Sequence, residues 1–312
     1  MGKALYELIA GAAVDGRLPE DFSLPREDDG RMPFADGAMD GIMIYHHAAS
    51  ELTEAQLKLI ADTVEAISAG DFYNAEELVW RIADEIGARA AFDAIRRHII
   101  DNAAALDLDN LYRFGAAIAT QSDRRALVKL ALAVLSPFRL EGESRGFIRT
   151  RGLSDEFTLY AAVAMGAWDG ANAEWFDLAR RVRGWGRIHL VERIRPETEE
   201  IRRWLMREGV HNDVLPAYSA LTCWSKADVP SALAGPLSRE DFTGIRDIIE
   251  ALLDEGPVPG ISAVENAQAH LLAFLDHAKG MALDDDDRSV IAYIRDRFGD
   301  SPGIVAACNA LS

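Results

Sequence analysis

Apolar residues recur along this chain at three- and four-residue spacing, and that period predicts helices over most of its length. The clearest unit is Trp185–Glu208, WGRIHLVERIRPETEEIRRWLMRE. Ile188, Val191 and Ile194 line one face of a first helix, and Ile201, Trp204 and Leu205 line one face of a second. Pro196 cannot continue the first helix, and its fixed φ suits the first position of the next. Glu197, Glu199 and Glu200 then fall in a first turn, where the helix dipole favours anions. Gly209 offers a left-handed cap at the far end. So short a connection predicts two adjacent, antiparallel helices, neither able to bury its stripe alone.

The same spacing predicts a short helix within residues 1–16, carrying Leu5, Leu8 and Ile9 on one side. Thr53 opens a run through Leu57, Ile60, Val64 and Ile67, and Asn74 is placed to cap the next helix. Further helices are expected over about 88–100, 108–120, 123–135, 155–168, 171–182, 213–224, 239–253, 263–279 and 284–298, with a last one in 304–311. Two stretches break the pattern. Residues 17–50 hold Pro19, Pro25 and Pro33 with Gly30, Gly37 and Gly41, and their GIMIY run (Gly41–Tyr45) suits a short strand or a helix start. Residues 137–153, with Pro137, Gly142, Gly146 and Gly152, read as an arginine-rich loop. Pro230, Pro236, Pro257 and Pro259 punctuate the region on either side of the helix at 239–253. The expected organisation is an irregular segment, residues 1–50, packed on a helical domain of residues 51–312.

There is a weak internal repeat. Residues 66–76 (AISAGDFYNAE) align without gaps with residues 164–174 (AMGAWDGANAE). Leu111-Tyr112 aligns with Leu159-Tyr160, and Trp168 with Trp224. The shared pattern is an Ala-rich helix, a Gly/Asp/Asn turn and a second amphipathic helix, at spacings somewhat above the 40–47 residues of HEAT and armadillo units. On these residues the region from about 52 to 300 resembles a divergent HEAT/armadillo-like array. The resemblance implies an all-α fold, a curved α-solenoid of antiparallel helix pairs.

Composition narrows the function classes. No apolar run approaches the length of a membrane span, and the N-terminus matches neither a signal peptide nor a myristoylation site. The two cysteines, Cys223 and Cys308, lie outside metal or CxxC spacing, which suits the cytoplasm and two small core residues. The net charge of −18 repels phosphate backbones and argues against nucleic acid. The charge is uneven, however. From Arg139 to Arg207 there are 13 Arg and 11 Asp or Glu, a balance of +2, so the rest of the chain carries −20. This block contains no lysine, and arginine suits planar recognition of carboxylate or phosphate. Five of the six tryptophans fall between Trp168 and Trp224. Arginine and tryptophan together are the composition of binding hot spots. We therefore take Arg145, Arg149, Arg151, Trp168, Arg181, Arg183, Trp185 and Arg187 as a candidate surface for a protein, a peptide or a small anionic ligand. The same tryptophans equally suit inter-helix core packing, with arginine stems covering aromatic faces.

Catalytic signals are weaker. Tyr45-His46-His47 with Asp36, Asp40 and Glu51 is the best metal or acid–base set and would make the chain an α-helical enzyme, a metal-dependent hydrolase or lyase. Adjacent histidines, however, do not converge on one point of a regular element. His189 and Glu192 lack zinc-helix spacing and suit an interhelical hydrogen bond. Asp284–Asp287 superficially resembles the aspartate-rich motif of terpene synthases. Arg288, Ser289 and Val290 withhold the further carboxylate that motif needs, and acids at a helix start are expected from the dipole alone. No phosphate-binding or dinucleotide-binding fingerprint is present, so no cofactor is expected. The reading that fits best is a non-enzymatic binding scaffold.

Overall fold

The computed structural model describes residues 2–27, 34–47, 51–256 and 258–311. Gly30, Pro33 and Pro257 lie outside the described residues. The described chain is all-α, and it divides into two compact units, Met1–Leu190 and Val191–Ser312.

The first unit is built around α7 (Arg125–Leu135), in which every residue from Leu127 to Leu135 is buried. A helix apolar on all sides must be enclosed. Here α4 (Phe72–Glu85), α5 (Ala88–Asn102), α6 (Leu108–Gln121) and α9 (Asp155–Met165) surround it. Helix α3 (Glu54–Ser68) packs on α4, α5 and α6. The α3–α4 turn is three residues long, and Gln56 Nε2 donates to Glu85 O at 3.4 Å, so these two helices run antiparallel. Thr53 caps α3 in a capping box with Gln56, as its position predicts. The cap of α4 is Asp71, which accepts from Asn74 N, and not Asn74 itself. The acid three residues earlier reaches the exposed N–H first.

Helix α1 (Leu5–Ala12) buries Leu5 and Ile9 against α6 and α8 (Gly146–Gly152). The GIMIY run is helical, within α2 (Ala38–His46). The expected loop at 137–153 is largely helical as well, a 3-10 turn at Gly142–Arg145 running into α8. Of its three glycines, Gly142 takes a left-handed φ of 55° and Gly146 has ordinary helical angles, while Gly152 gives clearance, since a Cβ there would stand 2.8 Å from Leu178 Cδ2. Helices α10 (Ala171–Ala179) and α11 (Gly184–Arg193) complete this part of the chain.

The second unit centres on α15 (Arg239–Leu253), packed by α12 (Glu199–Arg207), α13 (Ala217–Lys226) and α17 (Asp285–Arg297). Short α14 (Val229–Leu233), not foreseen from the sequence, joins α13 to this group and packs on α16 (Ala267–Ala278); α18 (Pro302–Asn309) packs on α16 and α17. Ser238 and Asp284 cap α15 and α17. The Trp185–Glu208 stretch forms its two helices, with Ile188, Val191, Ile194 and Leu205 fully buried. The two units divide between Leu190 and Val191, inside its first helix, and α12 packs on α13 and α15. Pro196 lies in the linker, and Thr198 is the cap of α12, accepting from Ile201 N at 3.2 Å. Gly209 is no left-handed cap either. A Cβ there would stand 2.5 Å from Cys223 Sγ. Gly244 on α15 is comparably tight, because its Cβ would lie 2.5 Å from Met206 O of α12. Backbone cannot yield as a side chain can, so Gly244→Ala is expected to lower stability by about 1–3 kcal/mol by urea unfolding.

Candidate binding site

The apolar helix RALVKLALAVL contains one interior cation, Lys129, and α9 opens with Glu156 before its own apolar run. The first unit buries both. Lys129 Nζ lies 2.6 Å from Asp40 Oδ2 and 2.5 Å from Glu156 Oε1. Arg125, one turn earlier on α7, bonds Asp36 Oδ1 at 2.7 Å and Glu156 Oε2 at 3.2 Å. It also donates to the carbonyls of Leu24 and Pro25. Asp36 and Glu156 in turn accept the backbone N–H of Leu24 and Gly37. Tyr160 lies under Lys129, 5.3 Å from ammonium to ring centroid. Burial alone would lower the Lys129 pKa, but Asp40 and Glu156 outweigh it and hold it above its ordinary value. Burial and the neighbouring Asp40 push the Tyr160 hydroxyl well up. This constellation closes on itself: each carboxylate holds a cation, and together they tie Leu24, Pro25, Asp36, Gly37 and Asp40 to α7 and α9.

Asp36 and Asp40 were expected beside His46 and His47. The structure separates them. Both histidines are exposed, at and just past the end of α2, while Asp40 is buried on its inner face. Among the described residues no three His, Cys, Asp or Glu side chains come together as a metal would need.

The arginine block resolves into distinct environments. Arg145 and Arg149 converge on Glu174, at 3.3 Å and 2.5 Å, and both guanidiniums lie over the ring of Trp168. The bond from Arg149 holds Glu174 below the usual carboxylate range. Arg181 pairs with Asp177 at 2.9 Å and presses on the Gly16 turn, and Arg183 pairs with Glu20 at 2.6 Å. Trp185 is buried, its ring tilted against Tyr45 and stacked with His189, and Arg187 is half-buried. His189 is therefore engaged by a ring contact. Arg151 is wholly buried between the rings of Tyr6 and Phe157, and donates through Nε and Nη2 to Ala119 O in the last turn of α6. Burial lowers its pKa to about 9, so it stays charged at neutral pH, at the negative end of that helix. Of the eight predicted residues, Arg145, Arg149 and Trp168 share one cluster, Arg181 and Arg183 are half-exposed, Arg187 is half-buried, and Arg151 and Trp185 are interior.

The second unit holds a network that sequence reading missed. Asp284 and Asp287 form the capping box of α17, and Arg239 bonds both, at 2.6 and 2.7 Å. Arg246 joins Asp287 at 3.1 Å to Asp247 at 2.7 Å, and His211 Nε2 meets Asp247 at 3.1 Å. The aspartate run is thus a helix cap locked by two arginines. The hydrogen bond to Asp247, aided by Glu208, raises the His211 pKa. A raised folded pKa gives stability that is complete below the unfolded value of about 6.5 and is lost as pH rises through the folded one. The histidine is half-exposed, so the effect is modest. His211→Gln is expected to cost under about 1 kcal/mol near pH 5.5 and less near pH 8, compared by urea unfolding at both.

No family model matches the chain, and no curated protein and no solved structure matches it.

Proposed function

We propose that the chain is a non-enzymatic binding scaffold. Its ligand-facing surface is the part of the arginine block that remains open in the first unit. The observation that carries this reading is the exposure of Arg149, Arg181 and Arg183, whose side chains are 47%, 40% and 51% accessible. The acids of Arg181 and Arg183, Asp177 and Glu20, are themselves open to water, at 46% and 77%. Exposed pairs of this kind contribute about 0–1 kcal/mol each, so an incoming carboxylate or phosphate displaces them at little cost. Arginine's planar fork suits both groups. The ligand is an acidic segment of a partner protein or peptide, or a small anion of the same chemistry. Antiparallel α3 and α4, and the Ala-rich repeat at residues 66–76 and 164–174, support a HEAT/armadillo-like arrangement beneath this surface.

The test is titration of a glutamate-rich peptide and of inorganic phosphate against the parent and an Arg181→Glu/Arg183→Glu variant. Peptide binding that weakens about tenfold in the variant and falls with added salt supports the proposal. Equal binding by both proteins, or none by the parent, overturns it.

A further inference from the structure

Helix α4 presents a face of the opposite kind. Its inner residues Ala75, Val79 and Ile82 are buried, while Tyr73 and Trp80, two turns apart on the outer side, are 87% and 40% exposed. An aromatic ring left almost wholly in water is unusual in a helix that packs well on its other side. The helix's own charges are mostly acidic. Asp71, Glu76, Glu77, Asp84 and Glu85 lie within α4 or at its N-cap, against one basic residue of the helix, Arg81, which is paired with Glu85 at 2.9 Å. From Glu51 to Gly87 there are nine acids and two bases, a balance of −7. The second base, Lys58, is also spent, on Asp62 at 2.7 Å.

The protein's own packing shows which group these rings accept. The guanidinium of Arg124 lies 5.6 Å from the Trp80 ring, and that of Arg113 lies 5.8 Å from Phe72. Both are cation–π distances. Among the described residues no cation lies over Tyr73, the most exposed ring of the three. Glu76 and Glu77, one turn on from it, are exposed and placed to meet the charge of a cation seated there.

We propose that the outer face of α4 is a docking surface for an arginine- or lysine-rich helical segment of a partner protein. A basic side chain of that partner stacks on Tyr73 and pairs with Glu76 or Glu77. The surface is distinct from the arginine surface and stands without it, so the chain would hold an acidic and a basic partner at separate places.

The probe is a fluorescent amphipathic peptide of about 20 residues with arginines spaced to match two helix turns, beside a control with glutamate at each arginine. Binding of the basic peptide alone, weakened about tenfold in Tyr73→Ala and in Glu76→Lys/Glu77→Lys, supports the proposal. Both variants change exposed positions, and unchanged melting temperatures show that the fold is intact. No binding of the basic peptide, or binding that Tyr73→Ala leaves unchanged, overturns it. Equal loss in Arg181→Glu/Arg183→Glu would also overturn it, because one shared surface would then serve both peptides.

Discussion

Replacing Lys129 by methionine is expected to lower folding stability by about 3–5 kcal/mol, the range for removing one partner of a buried ion pair. Methionine keeps the length and the apolar stem, so the loss isolates the ammonium. Asp40 and Glu156, both buried, then lose the cation that each bonds within 2.6 Å. Asp40 has the Tyr160 hydroxyl beside it, while Glu156 keeps Arg125 and Gly37 N. The uncompensated charge falls mainly on Asp40. Adding Asp40→Asn and Glu156→Gln removes that charge and is expected to recover most of the stability. Urea unfolding of the parent, the single variant and the triple variant decides the matter. A single variant within about 0.5 kcal/mol of the parent would mean that the network is not an energetic tie. The single variant should also lose protection from proteolysis over residues 34–40, since that stretch is what the carboxylates of Asp36 and Asp40 hold down.

The helical elements were legible where a local rule dominates. Thr53 with Gln56, Ser238 and Asp284 mark helix starts by capping chemistry, and those starts are found. Glycine misled wherever its role was tertiary. Gly152 and Gly209 sit where another side chain approaches closely, and neither turns the chain. The ion network was half-legible. Asp36 and Asp40 stood out as acids in an irregular stretch, but the histidines beside them drew the chemistry toward metal. The better signal was Lys129 alone inside RALVKLALAVL, because a lysine within a helix buried on all sides needs a carboxylate brought to it. Sequence proximity could not name Glu156, which lies 27 positions further on and meets Lys129 only once α7 and α9 pack. The arginine block shows the same limit. Composition gathered its residues, but burial sorts them, because Arg151 satisfies a helix end while Arg183 faces water.

Trp185→Ala is expected to lower stability by about 3–5 kcal/mol, the range for truncating a core tryptophan. Its indole is 6% exposed and lies 5.9 Å from the Tyr45 ring and 6.3 Å from that of His189, between centroids. It also packs against Gly41 so closely that any Cβ there would overlap the ring. The two residues are therefore a matched pair, and Gly41→Val should destabilise through the same contact from the other side, by overpacking. Each single variant disturbs one contact surface, so their effects should not add. Gly41→Val in the Trp185→Ala background should cost less than in the parent, because the cavity left by the indole admits the new side chain. A double-mutant cycle by urea unfolding gives that coupling. Full additivity would show that Gly41 and Trp185 are not in contact. If Trp185→Ala instead left stability unchanged while abolishing binding of the glutamate-rich peptide, the tryptophan would belong to the ligand surface and not to the core beneath it.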